Sequence, residues 1–264
     1  MDIGAIIGSI FGIAMILTGY TIEGGKLGAL VAPSPLFIVI GGTMGATLLS
    51  FPLSEIAKLV NTLKTIYTDK SFNEVDIINQ IAALSEKARK DGLLSLEQDA
   101  QSNENDLIKK GLALVVDGIE TEVIKDILER ESALHESIHE SGAKILEAMG
   151  GFSPTMGVLG TVMGMINILG NMSDPSTLGE KIATAFIATM FGVGLANLLY
   201  LPMAGRVKSK ATRETMISDL IIEGLLSIQA GENPRIIKEK LNLSLLEKMG
   251  AKGKNKSEEK PESE

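Results

Sequence analysis

The 264-residue chain contains no cysteine and no tryptophan, and only 4 % of its residues are aromatic. Without cysteine it forms no disulfides and no thiolate-held metal sites. Without tryptophan it lacks the usual interfacial anchor, which leaves Tyr20 and Tyr200 as candidates and no aromatic belt. An excess of positive charge is also missing: the net charge is −8, which argues against a nucleic-acid partner. There is no phosphate-binding glycine loop, nucleotide fingerprint or nucleophile elbow. The first apolar run is preceded by Asp2 alone and is followed by no small-x-small cleavage site before Glu23. It therefore reads as a retained helix and not as a signal peptide. The most consequential absence is charge within four long apolar stretches, Ile3–Ile22, Leu27–Leu53, Ala148–Ser173 and Ile182–Met203.

Each stretch is long enough to cross a bilayer, since about 20 helical residues span the hydrocarbon core. They come in two pairs, separated by a long charged interval and followed by another. Lys26 is the sole basic residue between the first two, and Lys181 the sole one between the last two. Lys58 and Lys64, Lys144, and Arg206, Lys208, Lys210 and Arg213 crowd the other ends. The positive-inside rule then puts both large segments and both termini in the cytoplasm. The expected organisation is a transmembrane hairpin over 1–53, a cytoplasmic helical domain over 54–147, a second hairpin over 148–205, cytoplasmic helices over 206–249 and a disordered charged tail over 250–264.

No strand alternation is present, so the fold class is an all-α integral membrane protein with four transmembrane helices in two hairpins. Pro52 opens a helix with Ile56, Leu59, Val60, Leu63 and Ile66 at helical spacing. A helix over 72–90 ends at Asp91-Gly92, and a short one follows over 107–116. A longer helix over 119–149, carrying Val123, Ile127, Leu134, Ile138, Ile145 and Met149, continues into the third span. A helix over 207–230 is closed by Gly231, and Asn233-Pro234 opens the last.

The spans are rich in glycine: Gly4, Gly8 and Gly12 in the first, Gly157, Gly160 and Gly164 in the third, Gly192 and Gly194 in the fourth. Small residues let membrane helices approach closely. That closeness serves bundle packing, packing around a second polypeptide, or packing between copies. Pro154, Thr161 and Asn167 in the third span and Thr189, Asn197 and Pro202 in the fourth are the weak polar features of the second pair. A proline frees a carbonyl and a threonine offers a hydroxyl, and both suit a passing ion. The competing reading is a threonine bonded to its own helix and a proline that only bends it.

His135-Glu136-Ser137-Ile138-His139 matches HExxH, the spacing of a zinc peptidase. Its setting, ALHESIHESGAK, is a charged stretch with no marked third ligand, so a solvated helix face is the better reading. No enzyme, resident metal or cofactor is expected. No span carries the ionisable group of a self-sufficient transporter. If the protein conducts ions, the titrating carboxylate comes from a partner.

Three runs carry a resemblance: Ala88-Arg89-Lys90-Asp91-Gly92-Leu93-Leu94-Ser95-Leu96-Glu97, then FSPTMGVLGTVMGMI over Phe152–Ile166, then FIATMFGVGLANLLYLPMAGRV over Phe186–Val207. Together they resemble the flagellar motor stator A-subunit, the MotA/PomA branch of the superfamily that includes TolQ and ExbB. The resemblance covers about residues 1–245. It implies a ring, of five copies, around two helices of a B-subunit that brings a membrane aspartate and a peptidoglycan anchor. It implies ion-pathway roles for Pro154, Thr161, Thr189 and Pro202, and contact of Arg89, Lys90 and Glu97 with the rotor's switch protein. The implied function is conduction of a proton or a sodium ion coupled to torque, in the bacterial plasma membrane. Threonine at Thr161 and Thr189 follows sodium-type members, whereas proton-type members often have alanine at the first; the proton is the reading adopted. The alternatives are a TolQ/ExbB-like energising subunit for outer-membrane processes, whose first hairpin would be a single helix, the zinc peptidase, and a lone channel.

Overall fold

A computed structural model describes residues 3–67, 73–170 and 178–258. Among the described residues all regular structure is helical. In chain order it comprises α1 (Ile3–Ile22), a 3-10 turn (Leu27–Leu30), α2 (Pro33–Ser50), α3 (Leu53–Tyr67), α4 (Glu74–Asp91), a second 3-10 turn (Leu93–Leu96), α5 (Glu97–Ser102), α6 (Asp106–Val116), α7 (Thr121–Gly170), α8 (Leu178–Gln229) and α9 (Pro234–Glu258).

Local chemistry sets these boundaries. The side chain of Asn73 accepts a hydrogen bond from Val75 N at the start of α4, and that of Asn105 accepts from Leu107 N and Ile108 N at the start of α6. Each satisfies amides that a helix start leaves open. Gly231 takes φ +71 after α8, and Glu232 N donates back to Ser227 O. Only glycine adopts that left-handed turn without strain. Pro234 then occupies the first turn of α9, with Asn233 capping Arg235 N.

Three helices, α2, α7 and α8, are long and apolar enough to cross a membrane, and α1 contributes the shorter apolar run Ile6–Ile22. The second span is shorter than the apolar stretch Leu27–Leu53. Its helix starts only at Pro33, because the proline initiates a helix and holds the preceding Ala32 extended at φ −117°, ψ 106°. Phe51, before Pro52, is extended likewise and separates α2 from α3. Of the third stretch, α7 supplies the part up to Gly170; the rest lies outside the described residues. Phe37, Leu49, Val158, Ile166 and Phe186 are all largely exposed. Such surfaces suit lipid or protein neighbours and not water.

The chain divides into two compact units at three boundaries, of which one falls inside α7 and one inside α8. The first, Met1–Asp69 with Ile138–Lys210, holds the membrane helices and α3. Its buried cluster sets Leu59 of α3 beside Ile145, Leu146 and Met149 of α7 and Ala204 and Val207 of α8. Glu55 accepts from Ser141 Oγ at 3.0 Å, and Lys208 pairs with Glu147 at 2.6 Å.

The second unit, Lys70–Ser137 with Ala211–Glu264, packs α4, α6 and the adjoining turns of α7, α8 and α9 around Ile77, Ile81, Leu112, Leu128, Leu220, Leu225 and Leu241. Burying such side chains is worth about 1.5–3 kcal/mol each. Helix α9 continues to Glu258, into the stretch 250–264 whose composition reads as a disordered tail. Once a helix is nucleated, each added residue brings one more backbone hydrogen bond. Residues 259–264 lie outside the described residues.

Candidate ion site

The facing surfaces of α7 and α8 are built from small residues. A Cβ on Gly157 would come 2.8 Å from Ala188 O, and one on Gly192 would come 2.6 Å from Ser153 O. One on Gly164 would come 2.7 Å from the Cβ of Ala185. The two backbones therefore touch. Without a hydrophobic drive between helices in lipid, this van der Waals contact is what holds them together. Ser153, fully buried, adds a hydrogen bond across the contact from its Oγ to Gly192 O at 2.9 Å.

Close approach brings the two threonines together. The hydroxyls of Thr161 and Thr189 are 2.6 Å apart. Thr161 Oγ1 also lies 3.0 Å from Ala185 O on α8 and 3.2 Å from Gly157 O on its own helix. Thr189 Oγ1 reaches Gly157 O at 3.5 Å. Both residues are half-buried. Two hydroxyls and two carbonyls thus converge in a span with no charged side chain. Oxygens of this kind hold hard cations or pass a proton between hydroxyls, but none ionises at ordinary pH. The back-bonded reading of Thr161 is half right, because the same hydroxyl serves its own helix and its neighbour.

The prolines lie apart from the threonine pair. Pro154 lies two turns before Thr161 on the same stripe of α7, about 10 Å along the axis. Having no N–H, it leaves Gly150 O without its helical donor, yet α7 runs on unbroken. Pro202 does the same to Leu198 O, and a π-turn over Ala196–Tyr200 accommodates it, with Leu201 N donating to Ala196 O. Gly150 packs directly against the Leu201 side chain. That contact sets Pro202 beside the turn that precedes Pro154, ~7 Å along the axis from it, so the two prolines stand at different levels. Pro154 is half-buried and Pro202 exposed. Asn197 bonds Val193 O of its own helix.

In the second unit, Arg89 and Lys90 occupy the last turn of α4 and Glu97 the first turn of α5, and all three are exposed. Cations at a helix C-terminus and an anion at an N-terminus complement the helix dipoles. Gly92, at φ +83, breaks the chain between them. Lys87 and Asp99 pair at 2.6 Å across this bend and fix α4 against α5. That pair and the Ser153 bond lack any sequence signal, because their partners stand at spacings that no helix period relates. His135 and His139 lie on α7, and among the described residues no group of three or more His, Asp or Glu is gathered as a metal site requires.

Residues 6–92 match the Motility protein A N-terminal family, and residues 99–220 match the MotA/TolQ/ExbB proton channel family. The chain belongs to the MotA/TolQ/ExbB proton channel family. It is 35 % identical to Motility protein A of Treponema pallidum (strain Nichols) over 94 % of this chain and 96 % of that one. Among solved structures, that of MotAB from C. jejuni aligns with a TM-score of 0.87 at 27 % identity, covering 92 % of this chain and 96 % of that chain. That of the flagellar MotAB stator complex from Bacillus subtilis aligns at 0.84 with 33 % identity, over 89 % and 93 %. The two matches cover α1 to α4 and the paired parts of α7 and α8 that carry the threonines.

The glycine contact yields a paired prediction. Gly192→Ala drives a methyl into the α7 backbone, whereas at Gly194 a Cβ meets nothing within 4 Å. Gly192→Ala should lower the thermal midpoint of the detergent-solubilised protein by an amount corresponding to about 1–3 kcal/mol of overpacking. Gly194→Ala should leave the midpoint unchanged.

Proposed function

We propose that the chain is the ion-conducting A-type subunit of a flagellar motor stator. In this reading it sits in the bacterial plasma membrane with four spans and both termini in the cytoplasm. The observation that carries the reading is the hydroxyl pair of Thr161 and Thr189, 2.6 Å apart in a span that has no ionisable group. Such a site has no titrating group of its own, and in this reading that charge is supplied by another chain. The relatives solved as MotAB complexes support a B-subunit as that chain, with several copies of this one, proposed to be five, closing a ring around it.

The proposed cycle begins when an ion neutralises the partner's membrane carboxylate. That lowers the cost of the carboxylate facing α7 and α8, and the helices repack around it near Pro154 and Pro202. Each charge moved can draw about 2.3 kcal/mol per 100 mV of membrane potential. The ring then steps, and Arg89, Lys90 and Glu97 press on the rotor's switch protein. The proposed cargo is a proton. Sodium is the second reading, favoured by the converging hydroxyl and carbonyl oxygens at Thr161.

Two experiments test this. Liposomes holding the chain alone should show no proton or sodium flux above lipid leak, and adding the B-subunit should produce flux that survives in sodium-free buffer. Flux from the chain alone contradicts the reading, and flux confined to sodium buffer selects the sodium form. For the rotor contact, swimming speed is measured with charge reversals at Arg89 and Glu97 and at facing rotor residues. Exposed pairs are individually weak, under about 1 kcal/mol, so single neutralisations should be nearly silent. Reversals should impair motility and be partly rescued by a matching rotor reversal. Purely additive losses contradict the contact.

A further inference from the structure

A pocket of about 580 Å³ opens between the first turn of α2, the end of α7 and the start of α8. Its rim carries Ser34, Asn167, Glu180 and Lys181, and its lower wall includes Ile38 and Met163. All three helices have their ends here, at the connector side of the spans. A polar rim above an apolar wall at the ends of spanning helices is the profile of the headgroup zone of a bilayer. Among the described residues neither Glu180 nor Lys181 takes part in an ion pair. Thr184 Oγ1, beside them, donates to Glu180 O at 2.9 Å.

The pocket floor is closed. Gly160, Gly164 and Ala185 form that floor, where α7 and α8 meet so closely that Cβ atoms added at Gly160 and Gly164 would strike Ala188 and Ala185 at 2.8 and 2.7 Å. The pocket is therefore no antechamber to the threonine pair. Its charges also argue against a simple ion: Lys181 opposes a lone cation, and Glu180 opposes a lone anion. A ligand bearing both signs satisfies both side chains at once. An apolar tail on the same ligand would cover Met163, which is 51 % exposed, and lie along Ile38.

We infer that this pocket binds the headgroup of a zwitterionic aminophospholipid, with the phosphate on Lys181 and the ammonium on Glu180. Ser34 and Asn167 supply further polar contacts, and one acyl chain runs over Met163. The inference rests on membrane insertion and not on ion conduction, so its failure would leave the proposed function intact. It makes this face a seat for one lipid type, fixing α2 against the second hairpin at the outer ends of the helices.

The test uses the purified complex of this chain with its B-subunit, delipidated and then titrated with phosphatidylethanolamine, phosphatidylcholine or phosphatidylglycerol in detergent. Native mass spectrometry reads the retained lipid and the assembly mass together. Phosphatidylethanolamine should be retained best, because the choline headgroup cannot donate hydrogen bonds to Glu180 and the glycerol headgroup has no ammonium. Glu180→Gln should lower its retention about tenfold or more, the size of one charge-assisted hydrogen bond. Lys181→Gln should weaken all three lipids. Equal retention of the three lipids, a preference for phosphatidylglycerol, or retention unchanged in both variants overturns the inference. A cryo-EM map of the unaltered complex in phosphatidylethanolamine nanodiscs gives a check free of mutation. Headgroup density between Glu180 and Lys181 supports the site, and side chains of a neighbouring subunit filling the pocket overturn it.

Discussion

Two helices meet through glycine and alanine within a charge-free span, and the rest of the site depends on that contact. In lipid, apolar side chains gain nothing by leaving the solvent, so helix pairing has to come from close packing and a few hydrogen bonds. Gly157, Gly164 and Gly192 leave no room for even a methyl group, and Ser153 ties the same contact to Gly192 O. Only at this separation can Thr161 reach across to Ala185 O and Thr189. A larger residue at the contact would part the hydroxyls before it reached them.

The same contact explains why the site is incomplete. Small, neutral oxygens are cheap to keep in a membrane, whereas an ionisable group is costly unless it is paired or wet. The chain keeps only the cheap half. Its proposed partner carries the carboxylate, and Pro154 and Pro202 are the proposed backbone irregularities against which that group moves. The π-turn at Ala196–Tyr200 is the visible adjustment: it lets α8 pass Pro202 without breaking. At the other end of the chain's chemistry, the bend carrying Arg89, Lys90 and Glu97 is fixed by Gly92 and by the Lys87–Asp99 pair, which suits the rotor contact proposed for it.

Much of the helical layout was legible because its signals are local. Asp91-Gly92, Gly231 and Asn233-Pro234 mark breaks that need particular residues, and the structure has them there. The second span was read too long, since hydropathy does not register that Pro33 starts a helix. Periodicity also misplaced part of the buried face of α7. Val123 and Leu134 are exposed, while Ile124, next to Val123, and Leu128, next to half-buried Ile127, are fully buried. That helix carries apolar residues on more than one face, and only tertiary packing selects among them. The threonines were legible as polar residues at mid-span. Their mutual contact was not, because it depends on which residues of two helices come face to face.

The central claim is that Thr161 and Thr189 act as one unit in ion passage. The most direct measurement is a double-mutant cycle on ion flux, using Thr161→Val, Thr189→Val and the double variant in liposomes that also hold the B-subunit. Valine keeps the shape and removes the hydroxyl. If the pair is one unit, the double variant should conduct no more slowly than the worse single variant. Losses that multiply, each substitution acting as if the other were absent, would contradict the account.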